Sequence, residues 1–207
     1  MNSIQKTNRV IKHISYFGFA DAAPNDPLYK EAYDVSKYLT SMGLIAINGG
    51  GPGTMRAVSE GARDAGNPAI GVTFYPKDIT NFEGRDPDNP LGEEIKTANY
   101  LERTLKLLDL GDAYVIFRGG TGTVSEFGMS WGLARLYFGH HKPLILYGQF
   151  WNNIISAFVD NMRIRPEELK VYRVASTPED AYKAVISFEN ILTAKENANK
   201  EEEAFQL

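Results

Sequence analysis

The residues of this chain most able to do chemistry lie in two glycine-rich stretches. The first, Asn48-Gly49-Gly50-Gly51-Pro52-Gly53-Thr54-Met55, follows an apolar run at 44–48 and leads into a helix-patterned segment. Glycines let a backbone approach a ligand closely, and a helix start offers N–H groups and partial positive charge to an anion. A tight strand-to-helix turn packed against a neighbour explains the same residues equally well. No Gly-Lys-Ser/Thr follows, which excludes a Walker A loop. The second stretch, Arg118-Gly119-Gly120-Thr121-Gly122-Thr123-Val124-Ser125-Glu126, also follows an apolar run, 113–117, and opens a helix. Two such turns in one sheet point to a shared phosphate, because open α/β sheets bind ligands at the carboxyl ends of their strands. Thr121 and Thr123 add hydroxyl donors.

Two charged side chains accompany these turns. Glu126 is expected in the first turn of its helix, where a carboxylate also serves as a cap or dipole partner, and spacing alone favours capping. Arg103 lies near the start of the preceding helix. Its charge opposes the dipole there, so an anionic partner explains it better than helix stability does, a solvated face being the other reading. No metal centre is expected: there is no cysteine, and His140 and His141 are adjacent, so they cannot both face one metal from a helix or strand face.

The elements that must position these residues alternate. Strand-like runs occur at 13–19, 44–48, 69–74, 113–117 and 143–147, with a weaker one at 171–175. Helical periodicity fits 28–42, 53–65, 100–110, 122–138, 151–162 and 178–188, the first opened by Asp26-Pro27 and stopped by Gly43. This alternation predicts an α/β Rossmann-like three-layer αβα sandwich with a mainly parallel sheet of five to seven strands. Residues 76–94, rich in Pro, Gly, Asp and Asn, are expected to form a long surface loop. Residues 1–192 are read as one domain and 193–207 as a polar tail, frayed or disordered. Trp131 and Trp151 are expected as core or interface anchors.

Composition narrows the partners. The chain has 207 residues, 43% hydrophobic and 23% charged, with a formal net charge of −4, and its Lys and Arg residues are dispersed. A nucleic-acid or anionic-membrane partner, either of which needs a basic footprint, is not expected. No run reaches the ~18 apolar residues of a membrane span, and the N-terminus carries no apolar leader, so the expected location is cytoplasmic.

Taken together, these residues resemble the LOG ("lonely guy") family of nucleoside 5′-monophosphate phosphoribohydrolases, long misnamed lysine decarboxylases. The family motif Pro-Gly-Gly-x-Gly-Thr-x-x-Glu is matched by Gly119, Gly120, Gly122, Thr123 and Glu126, and Gly-Gly-Gly-x-Gly-x-Met by Gly49, Gly50, Gly51, Gly53 and Met55. The family arginine precedes the second motif's first position by fifteen residues, as Arg103 precedes Arg118. The resemblance implies N-glycosidic cleavage of a nucleotide to free base and ribose 5-phosphate without a cofactor. It implies Glu126 and Arg103 as catalytic residues, phosphate held by the second turn, and a homodimer. Three positions depart from the pattern: Arg118 replaces proline, Thr104 a lysine and Phe19 a serine. If Arg118 faces the site, it should favour a ligand with more negative charge than a monophosphate. Molybdenum-cofactor carrier proteins share the fold and bind a phosphorylated pterin without turnover, which is the alternative function.

Overall fold

The computed structural model describes residues 9–75, 84–136 and 142–205. His140 and His141, the 76–83 part of the expected loop and residues 1–8 lie outside them. Seven strands, β1 (His13–Phe17), β2 (Ile45–Asn48), β3 (Ile70–Phe74), β4 (Glu93–Thr97), β5 (Ala113–Ile116), β6 (Leu144–Tyr147) and β7 (Tyr172–Ala175), form one sheet in the order β4-β3-β2-β1-β5-β6-β7. Every pairing is parallel. Among the described residues six α-helices connect or follow them, with a short 3-10 helix at Pro166–Leu169: α1 (Pro27–Ser41), α2 (Thr54–Asp64), α3 (Tyr100–Leu110), α4 (Thr121–Leu136), α5 (Phe150–Asn161) and α6 (Pro178–Phe205). The chain is thus an α/β Rossmann-like domain, as the alternation of runs predicted.

The central strands are buried on both faces, and alternation along them assigns residues to two cores. On β5, Ala113 and Val115 join α1, α2 and α6 through Val35, Leu39, Ala62 and Val185. Tyr114 and Ile116 point the other way, against Leu107 of α3, Phe127 and Trp131 of α4 and Trp151 of α5. The helices are therefore sorted three to a face, giving the three layers. Both tryptophans are core anchors with satisfied N–H groups: Trp131 donates to the carbonyl of Glu168 at 2.7 Å and Trp151 to that of Ile116 at 3.0 Å.

Two helix starts follow from local chemistry. Asp26 caps α1 by accepting from the Leu28 N–H at 2.8 Å, with Pro27 in the first turn. Asn99 caps α3 by accepting from the Glu102 N–H at 2.9 Å, while Glu102 accepts in return from the Ala98 N–H at 3.0 Å. That reciprocal arrangement fixes the start of the helix that carries Arg103.

The expected loop at 76–94 is corrected at its far end. Glu93 and Glu94 begin β4, an edge strand with an exposed, charged pattern that pairs with β3 from Ile70↔Glu93 to Phe74↔Thr97. Such an edge lacks an apolar run because charge there discourages pairing with other chains. The preceding residues are also seated, not free: the Asp86 N–H donates to the Gly50 carbonyl at 3.0 Å, and buried Asn89 donates through Nδ2 to the Gly51 carbonyl at 2.8 Å. The polar tail enters α6, whose helix continues to Phe205.

Candidate active site

Strand β1 lies between β2 and β5, with β2, β3 and β4 on one side and β5, β6 and β7 on the other. The connections leave the sheet in opposite directions there, which opens a crevice at the carboxyl ends of β1 and β5. A cleft of about 400 Å³ occupies it. Of the residues singled out from sequence, Gly49, Met55, Arg103, Gly120, Thr121, Gly122, Thr123 and Glu126 line this cleft. Both glycine turns sit on the same edge, with β1 between the strands they follow.

The turns play different parts. In the first, the glycines make room for protein. A Cβ at Gly49 would lie 1.6 Å from Nη2 of Arg103, one at Gly51 2.6 Å from Cε of Met55, and one at Gly53 2.3 Å from the Ala20 carbonyl oxygen. Gly50 and Gly53 have positive φ, 68° and 62°. Two N–H groups at this turn are already engaged: Gly50 donates to Oδ1 of Asn48 at 2.8 Å and Thr54 to the Phe19 carbonyl at 3.0 Å. In the second turn, a Cβ at Gly120 would meet nothing within 4 Å, and one at Gly122 only the Tyr100 hydroxyl at 3.3 Å. The Val124 N–H bonds the Gly120 carbonyl at 3.0 Å, so the N–H groups of Thr121, Gly122 and Thr123 are the first of α4 and have no intrahelical acceptor. Thr121 and Gly122 are exposed to the cleft side. The second turn can receive an anion; the first builds the wall beside it.

Glu126 and Arg103 are brought together in that wall. Arg103 is 6% exposed; its Nε donates to the Val72 carbonyl on β3 at 3.1 Å, and its guanidinium lies 5.8 Å from the Tyr100 ring centre. Nη1 stands 4.0 Å from Oε1 of Glu126. The anionic partner expected for Arg103 thus exists within the protein. Glu126 is 7% exposed, and burial pushes its carboxyl up to about 7, with Arg103 pulling the other way. Desolvation wins because a 4.0 Å pair without a close hydrogen bond recovers only part of the lost hydration. The capping expectation for Glu126 is corrected: α4 begins at Thr121 and has no acidic residue in its first turn. Glu126 falls one turn further in, facing the cleft.

Arg118 and Gly119 turn away from this cleft. They line a neighbouring hollow of about 640 Å³ with Asp26, Glu31 and Phe150, and Phe19 lines both spaces. Thr104 is buried outside the cleft lining, so the lysine-to-threonine departure falls beside the site, not in it. Sequence reasoning missed Tyr16, Phe17, Gly18, Gly84, Tyr100 and Leu107, which also line the cleft. Tyr100 was findable, since it precedes Arg103 by three residues on one helix face. Gly84 belongs to the loop before β4, and the others are strand-end and core residues whose apolar character marks only burial. Among the described residues no group of three or more His, Cys, Asp or Glu gathers to hold a metal, and no helix is long and apolar enough to cross a membrane.

Comparison with known proteins bears on the family and the fold. The family model described as "Possible lysine decarboxylase" matches residues 55–185. A cytokinin riboside 5′-monophosphate phosphoribohydrolase from Mycobacterium tuberculosis is 29% identical over 167 residues, covering 76% of this chain and 84% of that protein. Among solved structures, a structural-genomics target matches with a TM-score of 0.65 at 24% identity, covering 86% of this chain and 99% of the other. The molybdenum cofactor binding protein of Rippkaea orientalis matches with a TM-score of 0.62 at 22% identity, covering 86% and 96%. These two show the fold. With its model matching more than half of the residues and its motifs meeting in one cleft, the chain belongs to the possible lysine decarboxylase family, the LOG family of the sequence resemblance.

Proposed function

We propose that this protein hydrolyses the N-glycosidic bond of a nucleoside 5′-monophosphate, releasing free base and ribose 5-phosphate. The observation that carries the reading is the buried Glu126 carboxyl, poised near pH 7 beside Arg103 and on the same cleft as the open start of α4. The amides of residues 121–123 and the Thr123 hydroxyl hold the phosphate, away from the bond to be cleaved, which turns binding energy into orientation. As the C1′–N bond breaks, its electron pair leaves with the base and positive charge develops at C1′. Ionised Glu126 stabilises that charge and takes the proton of the water whose oxygen bonds to C1′, and the base takes up a proton from solvent. Arg103 keeps part of the Glu126 population ionised and presents its guanidinium edge to the sugar. The phosphoribohydrolase name of the Mycobacterium tuberculosis relative supports this chemistry.

We infer that two copies pair through α3 and α4. Val124 and Leu136 on α4 and Leu101 and Leu105 on α3 are exposed, and a Cβ at Gly128 or Gly132 would meet nothing within 4 Å. Sedimentation of the intact chain at the mass of one copy would remove the dimer from this reading.

The fold likeness to a molybdenum cofactor binding protein supports the second reading, a carrier that holds a phosphorylated ligand without turnover. One experiment separates the two. Purified protein is incubated with a panel of nucleoside monophosphates and free base is quantified. Turnover that falls by orders of magnitude in folded Glu126→Gln supports the hydrolase; saturable nucleotide binding with no base release supports the carrier.

A further inference from the structure

The hollow beside the cleft collects two of the three positions at which the chain departs from its family pattern, Phe19 and Arg118. It is built from the start of α1 (Asp26, Glu31), the end of β5 (Arg118) and the turn from β6 into α5 (Phe150). The Arg118 guanidinium carbon lies 4.6 Å over the Phe150 ring centre, and Phe19 is 39% exposed on the rim shared with the cleft. Two aromatic rings and a guanidinium therefore face one space, the combination that holds flat π-systems. Its charge balance argues against a second phosphate. Asp26 and Glu31 oppose the single positive charge of Arg118, and Glu31 is partly desolvated, with Arg118 as the cation that most offsets that cost. Asp26 already accepts from the Leu28 N–H, whereas Glu31 stands exposed and available as an acceptor.

We propose that this hollow is a subsite for a planar nitrogen heterocycle bearing N–H donors, which stacks with Arg118, Phe150 and Phe19 and donates to Glu31. The selectivity of Arg118 is then for a flat ring and not for added negative charge. The assignment names a heterocycle subsite on the edge already read as nucleotide-binding, and to that extent it rests on that reading. Two sources fit the chemistry: the base of the nucleotide whose phosphate sits on α4, reached past Phe19, or a separate free base.

The test uses the full-length chain with adenine as probe, benzoate as a planar anionic control, and inorganic phosphate as probe of the α4 site, all by calorimetry. Adenine is expected to bind saturably and benzoate not. Arg118→Ala and Glu31→Gln should each weaken adenine by about tenfold, with Glu31→Gln leaving phosphate affinity unchanged. Both side chains are exposed, and circular dichroism confirms the folded state of each variant. Equal adenine affinity in the three proteins, or no saturable adenine binding, overturns the proposal. In Glu126→Gln, which by the reading above leaves the nucleotide intact, saturating adenosine 5′-monophosphate distinguishes the sources: loss of adenine binding identifies the base of the same nucleotide, and persistence identifies a second heterocycle. Base release with adenine affinity indifferent to both substitutions sinks this subsite alone, and adenine binding without base release sinks the hydrolase alone.

Discussion

A side chain placed on Gly49 would strike the guanidinium of Arg103 at 1.6 Å, whereas one placed on Gly120 would meet nothing within 4 Å. The two turns share composition, follow strands on the same sheet edge and open helices, yet their glycines answer to different demands. In the first, the absent side chains make room for Arg103, Met55 and the Ala20 backbone, and loop residues Asp86 and Asn89 close over its carbonyls. In the second, Gly119 makes room for the Thr123 side chain, while at Gly120 and Gly122 space and N–H groups face the cleft. A glycine-rich turn is therefore a statement about space, and only the structure shows whether protein or ligand fills it.

The sharpest way to break this comparison is to add a methyl group to each turn. Gly53 has φ 62° and ψ −130°, a region nearly closed to other residues, and its Cβ would press on backbone. Gly53→Ala should cost at least about 3 kcal/mol, read as a shifted urea midpoint at unchanged m-value. A cost below about 1 kcal/mol would show that the first turn is not packed as described.

Next in size is the pH dependence of stability set by Glu126. Its folded pKa of about 7 lies above the ordinary 4.5, so the folded protein holds a proton that the unfolded chain has released between those values. The stability this provides is complete below pH 4.5 and is lost as pH rises to about 7, a loss of about 3 kcal/mol at ~1.4 kcal/mol per unit. Glu126→Gln should flatten that slope and be the more stable protein at pH 8; parallel profiles for the two proteins would contradict the buried, poised carboxyl. Smaller again, Asn89→Ala removes the donor to the Gly51 carbonyl and should cost about 1–2 kcal/mol in thermal unfolding. Last, Gly120→Ala should change stability by no more than about 0.5 kcal/mol while weakening phosphate binding, because the new methyl enters the open space.

Much of this was legible in the sequence. The strands at the sheet centre are short apolar runs, and α3 matched its predicted bounds because Asn99 and Gly111 mark its ends. Strand β4 was not legible: Glu93-Glu94-Ile95-Lys96-Thr97 has no apolar face, and its pairing with β3 supplies what the pattern does not. At the site, the spacing of Arg103 and Glu126 was readable, but not their contact across two helices, nor the burial that moves the Glu126 pKa. Arg118 shows the limit most clearly. Its position before Gly119 suggested the phosphate site, yet the side chain leaves on the other side of the strand end, over Phe150.

The contrast between the turns is tested most directly by titrating inorganic phosphate into isotopically labelled protein and following each backbone amide by nuclear magnetic resonance. Saturable shifts centred on Gly120, Thr121, Gly122 and Thr123, with Gly50, Gly51, Gly53 and Thr54 unmoved, are the predicted result. Shifts centred on the first turn, or none at either, would contradict it.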